Sequence, residues 1–270
     1  MDPKLPLGED SEYPNKYAPD LLCPIPRLDS RECLGIGELP FHGSDIWNAW
    51  DLTWLGPDNR PVVATAEFRV PAESPNLIES KSLKLYVNSF SMSQYDSPAI
   101  IASTLTTDLS ACAGAPVDVE VNEIGETEAR NVFRLPGLCI DSLPVRCETW
   151  EVDPGLLACD PDEIVEEFLY SHLLRSLCPV TAQPDIGSLA VHYRGPRIDS
   201  SSLLKYIVSF REHNDFHEAC VERMFVDLMD RCRCEDLSVF ARYQRRGGID
   251  INPFRSNFEN QSRNPRLWRQ

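Results

Sequence analysis

The stretch Cys178-Pro-Val-Thr-Ala-Gln-Pro-Asp185 sets a thiol and a carboxylate on either side of a segment that two prolines force to turn. A thiolate attacks electrophilic carbon far better than an alcohol does, and a neighbouring carboxyl group can pass it a proton. The chemistry on offer is covalent. Against it stands the commoner fate of a free cysteine, which is to be buried and inert, and of an aspartate after proline, which is to lie exposed in a turn.

Three other groups of residues can carry chemistry. His217 opens a helical stretch in register with Val221, Met224 and Leu228, where a histidine is more often a core residue than a catalyst. Glu218 stands about 100° further round the helix, so the two share a pocket only at the helix mouth. A carboxylate there can accept two N–H bonds from a guanine-like edge, or merely complement the positive helix start. Lys81, Arg245 and Arg246 are candidate phosphate binders, and Gly247 lets a backbone approach a ligand; the alternative is solvated charge beside a turn. Cys220, Cys232 and Cys234 with His217 make a possible zinc set, without a second CxxC-type pair at standard spacing. Gly35-Ile-Gly37 lacks the third glycine of a dinucleotide fingerprint, so no Rossmann domain is indicated.

The elements that must position these residues follow from periodicity. Residues 1–45, rich in Pro, Asp and Glu, read as an irregular arm. Ile46–Trp54, with Trp50, Leu52 and Trp54 on one face, and Val62–Val70 read as a hairpin. Helices are expected over Ser80–Phe90 and from Ser97-Pro98, a serine cap with proline at the first position. Val117, Val119 and Val121 alternate as a strand. Residues 123–145 show no period, which places the module boundary there and gives modules of 1–145 and 146–270.

Asp160-Pro-Asp-Glu163 has the marks of a helix start, and Ile164, Phe168, Leu169, His172 and Leu173 form an apolar stripe behind it. That helix would end at Cys178. A helix C-terminus carries negative partial charge and opposes ionisation of a thiol whose ordinary pKa is about 8.5. Beyond it come a short strand over Ser188–Tyr193, helices over Ser200–Arg211 and from Asn214 to about Arg231, and strands Val239–Tyr243 and Ile249–Ile251 joined through Arg245-Arg-Gly-Gly248. The tail from Ser256 is polar and extended.

The halves repeat. Glu79-Ser-Lys-Ser-Leu-Lys-Leu-Tyr-Val-Asn-Ser-Phe90 lies on Asp199-Ser-Ser-Ser-Leu-Leu-Lys-Tyr-Ile-Val-Ser-Phe210 without a gap, with six positions in twelve identical. Only the first copy has Lys81, and only the second has Cys178, Asp185 and Phe216-His-Glu218. A site split between the halves would explain why neither is complete.

The totals agree with a globular protein: 270 residues, 42% hydrophobic and 25% charged. A net charge of -16 disfavours a nucleic-acid surface and points to a small-molecule partner. The first ten residues hold no apolar signal core, and no run reaches the roughly 18 apolar residues of a membrane span. The expectation is a soluble cytoplasmic protein whose ten cysteines are reduced.

On Ile78-Glu-Ser-Lys-Ser-Leu-Lys-Leu-Tyr86, Cys178–Asp185, Phe216-His-Glu218 and Arg245-Arg-Gly-Gly-Ile-Asp-Ile-Asn252, the chain resembles the NADPH-dependent 7-cyano-7-deazaguanine reductases, the QueF nitrile reductases of queuosine biosynthesis, in their long two-module form. The resemblance implies an α+β fold of tandem tunnelling-fold modules, each an antiparallel sheet with two helices on one face. It implies reduction of a nitrile to a primary amine with two NADPH. Cys178 would form a covalent thioimide, Asp185 would protonate nitrogen, and His217 would assist proton transfer. Ile78, Glu79, Ser80, His217 and Glu218 would hold the deazaguanine, and Ser80, Lys81, Arg246 and Gly247 the NADPH. A homodimer, no metal and no direct contact with nucleic acid or membrane are implied as well. Two other readings remain: a zinc-dependent purine or pterin hydrolase of the same fold, and a non-catalytic purine-binding protein.

Overall fold

A computed structural model describes residues 14–123, 132–260 and 263–270. It divides into two compact units. The first comprises the described residues of Met1–Asp29, Ser44–Asn131 and Arg245–Ile251; the second those of Ser30–Gly43, Val132–Gln244 and Asn252–Gln270. Both mix helices with largely antiparallel strands, which makes the class α+β. Part of the stretch taken as a module boundary, residues 124–131, lies outside the described residues.

In the first unit β1 (Pro24–Pro26) pairs with β4 (Asn76–Ile78), while β2 (His42–Leu55), β3 (Pro61–Pro71) and β5 (Asp118–Glu123) form an antiparallel run with β3 in the middle. Alternate residues of β2 and β3 point to one face, and these are the apolar ones: Trp47, Ala49, Leu52, Trp54, Ala64, Ala66, Phe68 and Val70. Helices α2 (Ser80–Ser89) and α3 (Pro98–Ala113) cover that face with Leu83, Tyr86, Phe90, Ile101, Leu105 and Leu109. Each large side chain so buried contributes roughly 1.5–3 kcal/mol.

The expected pattern of β2 needs one correction. Between the pairs Ala49↔Ala66 and Leu52↔Ala64, two residues of β2 oppose one of β3, a β-bulge. The bulge moves Trp50 off the core face, so Trp47 and Ala49 join Leu52 and Trp54 there. Trp50 instead donates its indole N–H to Asp250.

The lead-in is not an irregular arm where it is described. Cys23 donates its backbone N–H to Ser82 Oγ at 3.1 Å, and the buried Arg27 pairs with Asp45 at 2.5 Å. The short helix α1 (Leu28–Cys33) carries the chain into the second unit, where Arg31 and Arg255 converge on the buried Glu222 with contacts of 2.8–3.1 Å.

In the second unit β6 (Val132–Phe133) pairs with β12 (Arg266–Leu267), so the extended tail ends in a strand. β7 (Leu138–Cys139), β8 (Cys159–Leu177), β9 (Pro184–Ile198) and β10 (Asp236–Tyr243) lie side by side in that order, and the last residues of β11 (Ile249–Ser256) pair with β10. Helix α4 (Ser200–Ser209) packs on β8, and α5 (His217–Cys232) on β9 and β10.

The segment expected as a helix before Cys178 is therefore the strand β8, nineteen residues long. The expected stripe fails in detail: Ile164, Phe168 and Leu173 are 58%, 40% and 40% exposed. The buried positions are Leu169, Ser171, Leu174 and Ser176, alternation interrupted by a bulge between Ser171 and Leu174. Antiparallel pairing with β9 along most of the strand overrides the local helix signals. β9 likewise outruns the short strand expected at Ser188–Tyr193, although Leu189, Val191 and Tyr193 are buried as foreseen.

The repeat survives in three dimensions. Glu79 and Asp199 cap α2 and α4 by accepting backbone N–H groups. Tyr86 donates to Asp108 at 2.5 Å as Tyr206 does to Asp227 at 2.5 Å, and Ser89 and Ser209 donate to the carbonyls of Tyr86 and Tyr206. Among the described residues no helix is long and apolar enough to cross a membrane.

Candidate active site

Cys178 stands at the turn of the β8–β9 hairpin. Its N–H donates to Gln183 O at 2.9 Å and its carbonyl accepts from Ala182 N–H at 2.9 Å. Ala182 closes the turn in the left-handed region, with φ of 53°. The prolines at 179 and 184 do turn the chain, but between strands. The objection from a helix C-terminus therefore falls away: no helix dipole ends at this thiol.

Strand alternation decides the company Cys178 keeps. Ser176 pairs with Asp185 across the hairpin, so their side chains share a face, and period two carries Cys178 to the same face. Ser176 and Asp185 are fully buried and Cys178 is partly exposed. A partly exposed thiol thus lies on the same face as a buried carboxyl group.

His217 arrives from α5. The chain before that helix lies along Leu177, whose N–H donates to His213 O at 2.8 Å and whose carbonyl accepts from Asp215 N–H at 3.2 Å. This bridge delivers the first turn of α5 to the hairpin. His217 Nε2 lies 3.5 Å from Asp185 Oδ1, and its ring meets the Tyr243 ring edge-on with centroids 4.0 Å apart. Glu218, next along the helix, is buried. Cys178, Asp185, His217 and Glu218 thus belong to one corner of the second unit.

Two residues of this corner, Ser176 and Tyr243, were not among the sequence candidates, and a third, Cys220, was one only as a possible zinc ligand. The Ser176 hydroxyl lies beside both the Cys220 thiol and the Tyr243 phenol. Burial pushes the Cys220 thiol and the Tyr243 hydroxyl well above their ordinary values, and the carboxylates of Asp185 and Glu218 push the same way. Cys220 is therefore held as a thiol. Position 176 was legible in principle, because a strand ending in Ser-Leu-Cys puts the serine on the cysteine's face. The helix assignment hid it.

The remaining candidates lie in the first unit. Ile78 is a core residue by its side chain. Glu79 is buried, and its carboxylate accepts from Lys81 N–H at 2.9 Å and Ser82 N–H at 2.6 Å. It caps α2, with lone-pair sites left over for another donor. Ser80 and Lys81 form the first turn of that helix, partly exposed. Arg246 and Ile249 exchange backbone hydrogen bonds across Gly247 and Gly248, whose φ values of 59° and 80° define the tight turn expected there.

A Cβ built on Gly247 would come within 3.2 Å of Lys84 Cδ, so the turn lies against the first turns of α2 and brings Lys84, Arg245 and Arg246 to one region. Ser80, Lys81, Arg246 and Gly247 fit the phosphates of NADPH by type: cations, a hydroxyl and a backbone without a side chain. Arg245 itself pairs with Asp51.

The possible zinc set does not assemble. Among the described residues no three His, Cys, Asp or Glu side chains are grouped so as to hold a metal ion.

Known proteins align with the chain from end to end. The family profile described as "Nitrile reductase, 7-cyano-7-deazaguanine-reductase N-term" matches residues 13–121, and the one described as "QueF-like protein" matches residues 184–262. A protein of Azoarcus sp. (strain BH72) named NADPH-dependent 7-cyano-7-deazaguanine reductase is 54% identical over 258 residues, which cover 95% of this chain and 92% of its own. One of Dechloromonas aromatica (strain RCB) with the same name is 53% identical over 253 residues, covering 93% and 89%.

Proposed function

The chain belongs to the 7-cyano-7-deazaguanine (nitrile) reductase family, and from that premise we propose that it reduces 7-cyano-7-deazaguanine to the 7-aminomethyl compound with NADPH, in queuosine biosynthesis. The observation that carries the residue roles is the corner at the β8–β9 turn. There a reachable thiol, a buried carboxyl group and a histidine 3.5 Å from that carboxyl converge on one side of a hairpin.

Cys178 adds its sulfur to the nitrile carbon, making a C–S bond while one C–N π bond breaks. Asp185 gives its proton to the nitrogen, and the product is a thioimide. NADPH, when bound, supplies the two hydrides that take the nitrile to the amine. Cys178 leaves the reduced adduct as thiolate, returning the electron pair of the C–S bond to sulfur, and His217 passes the second proton that the same nitrogen needs as the imine becomes the amine. Glu218 and Glu79 accept N–H groups of the deazaguanine, and Ser80, Lys81, Arg246 and Gly247 hold the phosphates. The working form is a homodimer, which sedimentation velocity of the full chain tests.

The decisive assay follows NADPH oxidation with 7-cyano-7-deazaguanine, wild type against Cys178→Ala. Wild type should oxidise two NADPH per nitrile and, without NADPH, develop a thioimide absorbance band. A Cys178→Ala protein that still forms the band or turns over overturns the nucleophile assignment.

A further inference from the structure

Tyr243 is buried, borders the corner described above, and has no part in the steps just given. It ends β10, where it pairs with Gly187 of β9, two residues beyond Asp185. A Cβ on Gly187 would stand 3.1 Å from Tyr243 Cδ1 and 3.2 Å from Arg242 O. The phenol ring therefore lies close over β9, where a Cβ at position 187 would crowd it by a few tenths of an ångström. On its other side the ring meets His217 at 4.0 Å between centroids, and His217 Nε2 faces Asp185 at 3.5 Å.

The duplicated unit shows that none of this is required by the fold. The first unit makes the same strand pair, with Ala64 opposite Glu123 where the second has Gly187 opposite Tyr243. Its second helix begins with Pro98 where α5 begins with His217. Glycine, tyrosine and histidine occur together in the unit that also has Cys178 and Asp185, and are absent together from the other.

We propose that Tyr243 is a positioning residue: its ring, laid over Gly187, is the wall that holds the His217 imidazole against Asp185. The ring does the positioning, and the hydroxyl, for which no hydrogen-bond partner is found among the described residues, takes no part in it. A histidine at the first position of a helix has its own rotamers to choose from; a wall on one face leaves the one directed at the carboxyl. The inference rests on the assignment of His217 and Asp185 to proton transfer.

The test uses the full chain with saturating NADPH and three variants, Tyr243→Leu, Gly187→Ala and Tyr243→Phe. Tyr243→Leu should lower kcat by about 30-fold and leave KM for the nitrile within about threefold, the pattern of a misplaced group rather than lost binding. Without NADPH it should reach the wild-type amplitude of the thioimide band, more slowly. Tyr243→Phe keeps the wall and should hold kcat within about threefold of wild type, with Gly187→Ala between the two.

A Tyr243→Leu protein with wild-type kcat overturns the proposal, as does a Tyr243→Phe protein as slow as Tyr243→Leu. If Tyr243→Leu does not fold, Gly187→Ala against Tyr243→Phe decides in the same way. His217→Asn and Asp185→Asn separate the two levels. If both turn over normally, the proton-transfer assignment fails; if both are slow while the Tyr243 and Gly187 variants are not, the positioning role fails alone.

Discussion

Leu55 and Leu177 close corresponding hairpins, and the backbone hydrogen bonds they make match in the two units. Leu55 N–H donates to Ser93 O and its carbonyl accepts from Tyr95; Leu177 N–H donates to His213 O and its carbonyl accepts from Asp215. The next residue bonds across the turn in each case, Gly56 to Arg60 O and Cys178 to Gln183 O, both at 2.9 Å. Both hairpins carry a bulge, at Ala49/Leu52 and at Ser171/Leu174.

The side chains at these matched places differ completely. Trp54 pairs with Val62 where Ser176 pairs with Asp185. Trp54 is a fully buried part of the first unit's core, so that corner is solid. In the second unit the small Ser176 is buried beside the Cys220 thiol and the Tyr243 phenol, on the face of Asp185. A duplicated frame has one corner filled by an apolar ring and one by polar and titratable groups, with the flanking backbone hydrogen bonds matched.

Several substitutions probe how deep that difference goes. Cys178→Gly, which installs the first unit's Gly56 at the matching place, should lower turnover by more than about 1,000-fold and abolish the thioimide band, with little change in thermal unfolding. Asp185→Asn should slow turnover by about 100- to 10,000-fold, the range for a lost general acid; a stopped-flow trace of thioimide formation locates the slow step. If it forms the thioimide at the wild-type rate, Asp185 is not the donor to nitrogen.

The next effect is on stability and separates the two second helices. Glu222 of α5 holds Arg31 and Arg255 in a buried ion cluster, whereas the matching position of α3 is the exposed Ser103. Glu222→Ala leaves two guanidinium groups without their carboxylate and should cost about 3–5 kcal/mol in denaturant unfolding. Ser103→Ala should cost less than about 0.5 kcal/mol.

The smallest effects compare the helix caps. Glu79→Ala and Asp199→Ala should each cost about 1 kcal/mol of stability. Only Glu79→Ala should also raise KM for the nitrile. Equal stability losses with unequal KM assign Glu79 a second task; equal KM values leave it a cap alone.

Much of this frame was legible in the chain. The paired helices, their acid caps and the tight Arg245–Gly248 turn followed from local rules, and Leu83, Tyr86, Leu203 and Tyr206, identical between the two copies, are buried. Cys178, Asp185, His217 and Glu218 were picked out by type. The geometry that joins them was not, because β8 was taken as a helix. The apolar residues Ile164, Phe168, Leu169 and Leu173 recur at the spacing of a helical face, whereas two of the positions that β8 buries are the serines Ser171 and Ser176, which no apolar period marks. In β2 a bulge displaced Trp50 from the core face.

By itself the sequence determined which residues hold reactive groups, that the chain is duplicated, and where α2, α3 and α4 begin. These depend on residue type and on contacts three or four positions away. The tertiary structure decided that β8 is a strand, that Cys178 shares a face with Ser176 and Asp185, and that Tyr243 stands against His217. Those relations are set by which strand lies opposite which, over separations from Ser176↔Asp185 to Gly187↔Tyr243. Long-range pairing satisfies the backbone of a whole strand at once, and it outweighs the few tenths of a kcal/mol per residue by which a local sequence prefers a helix.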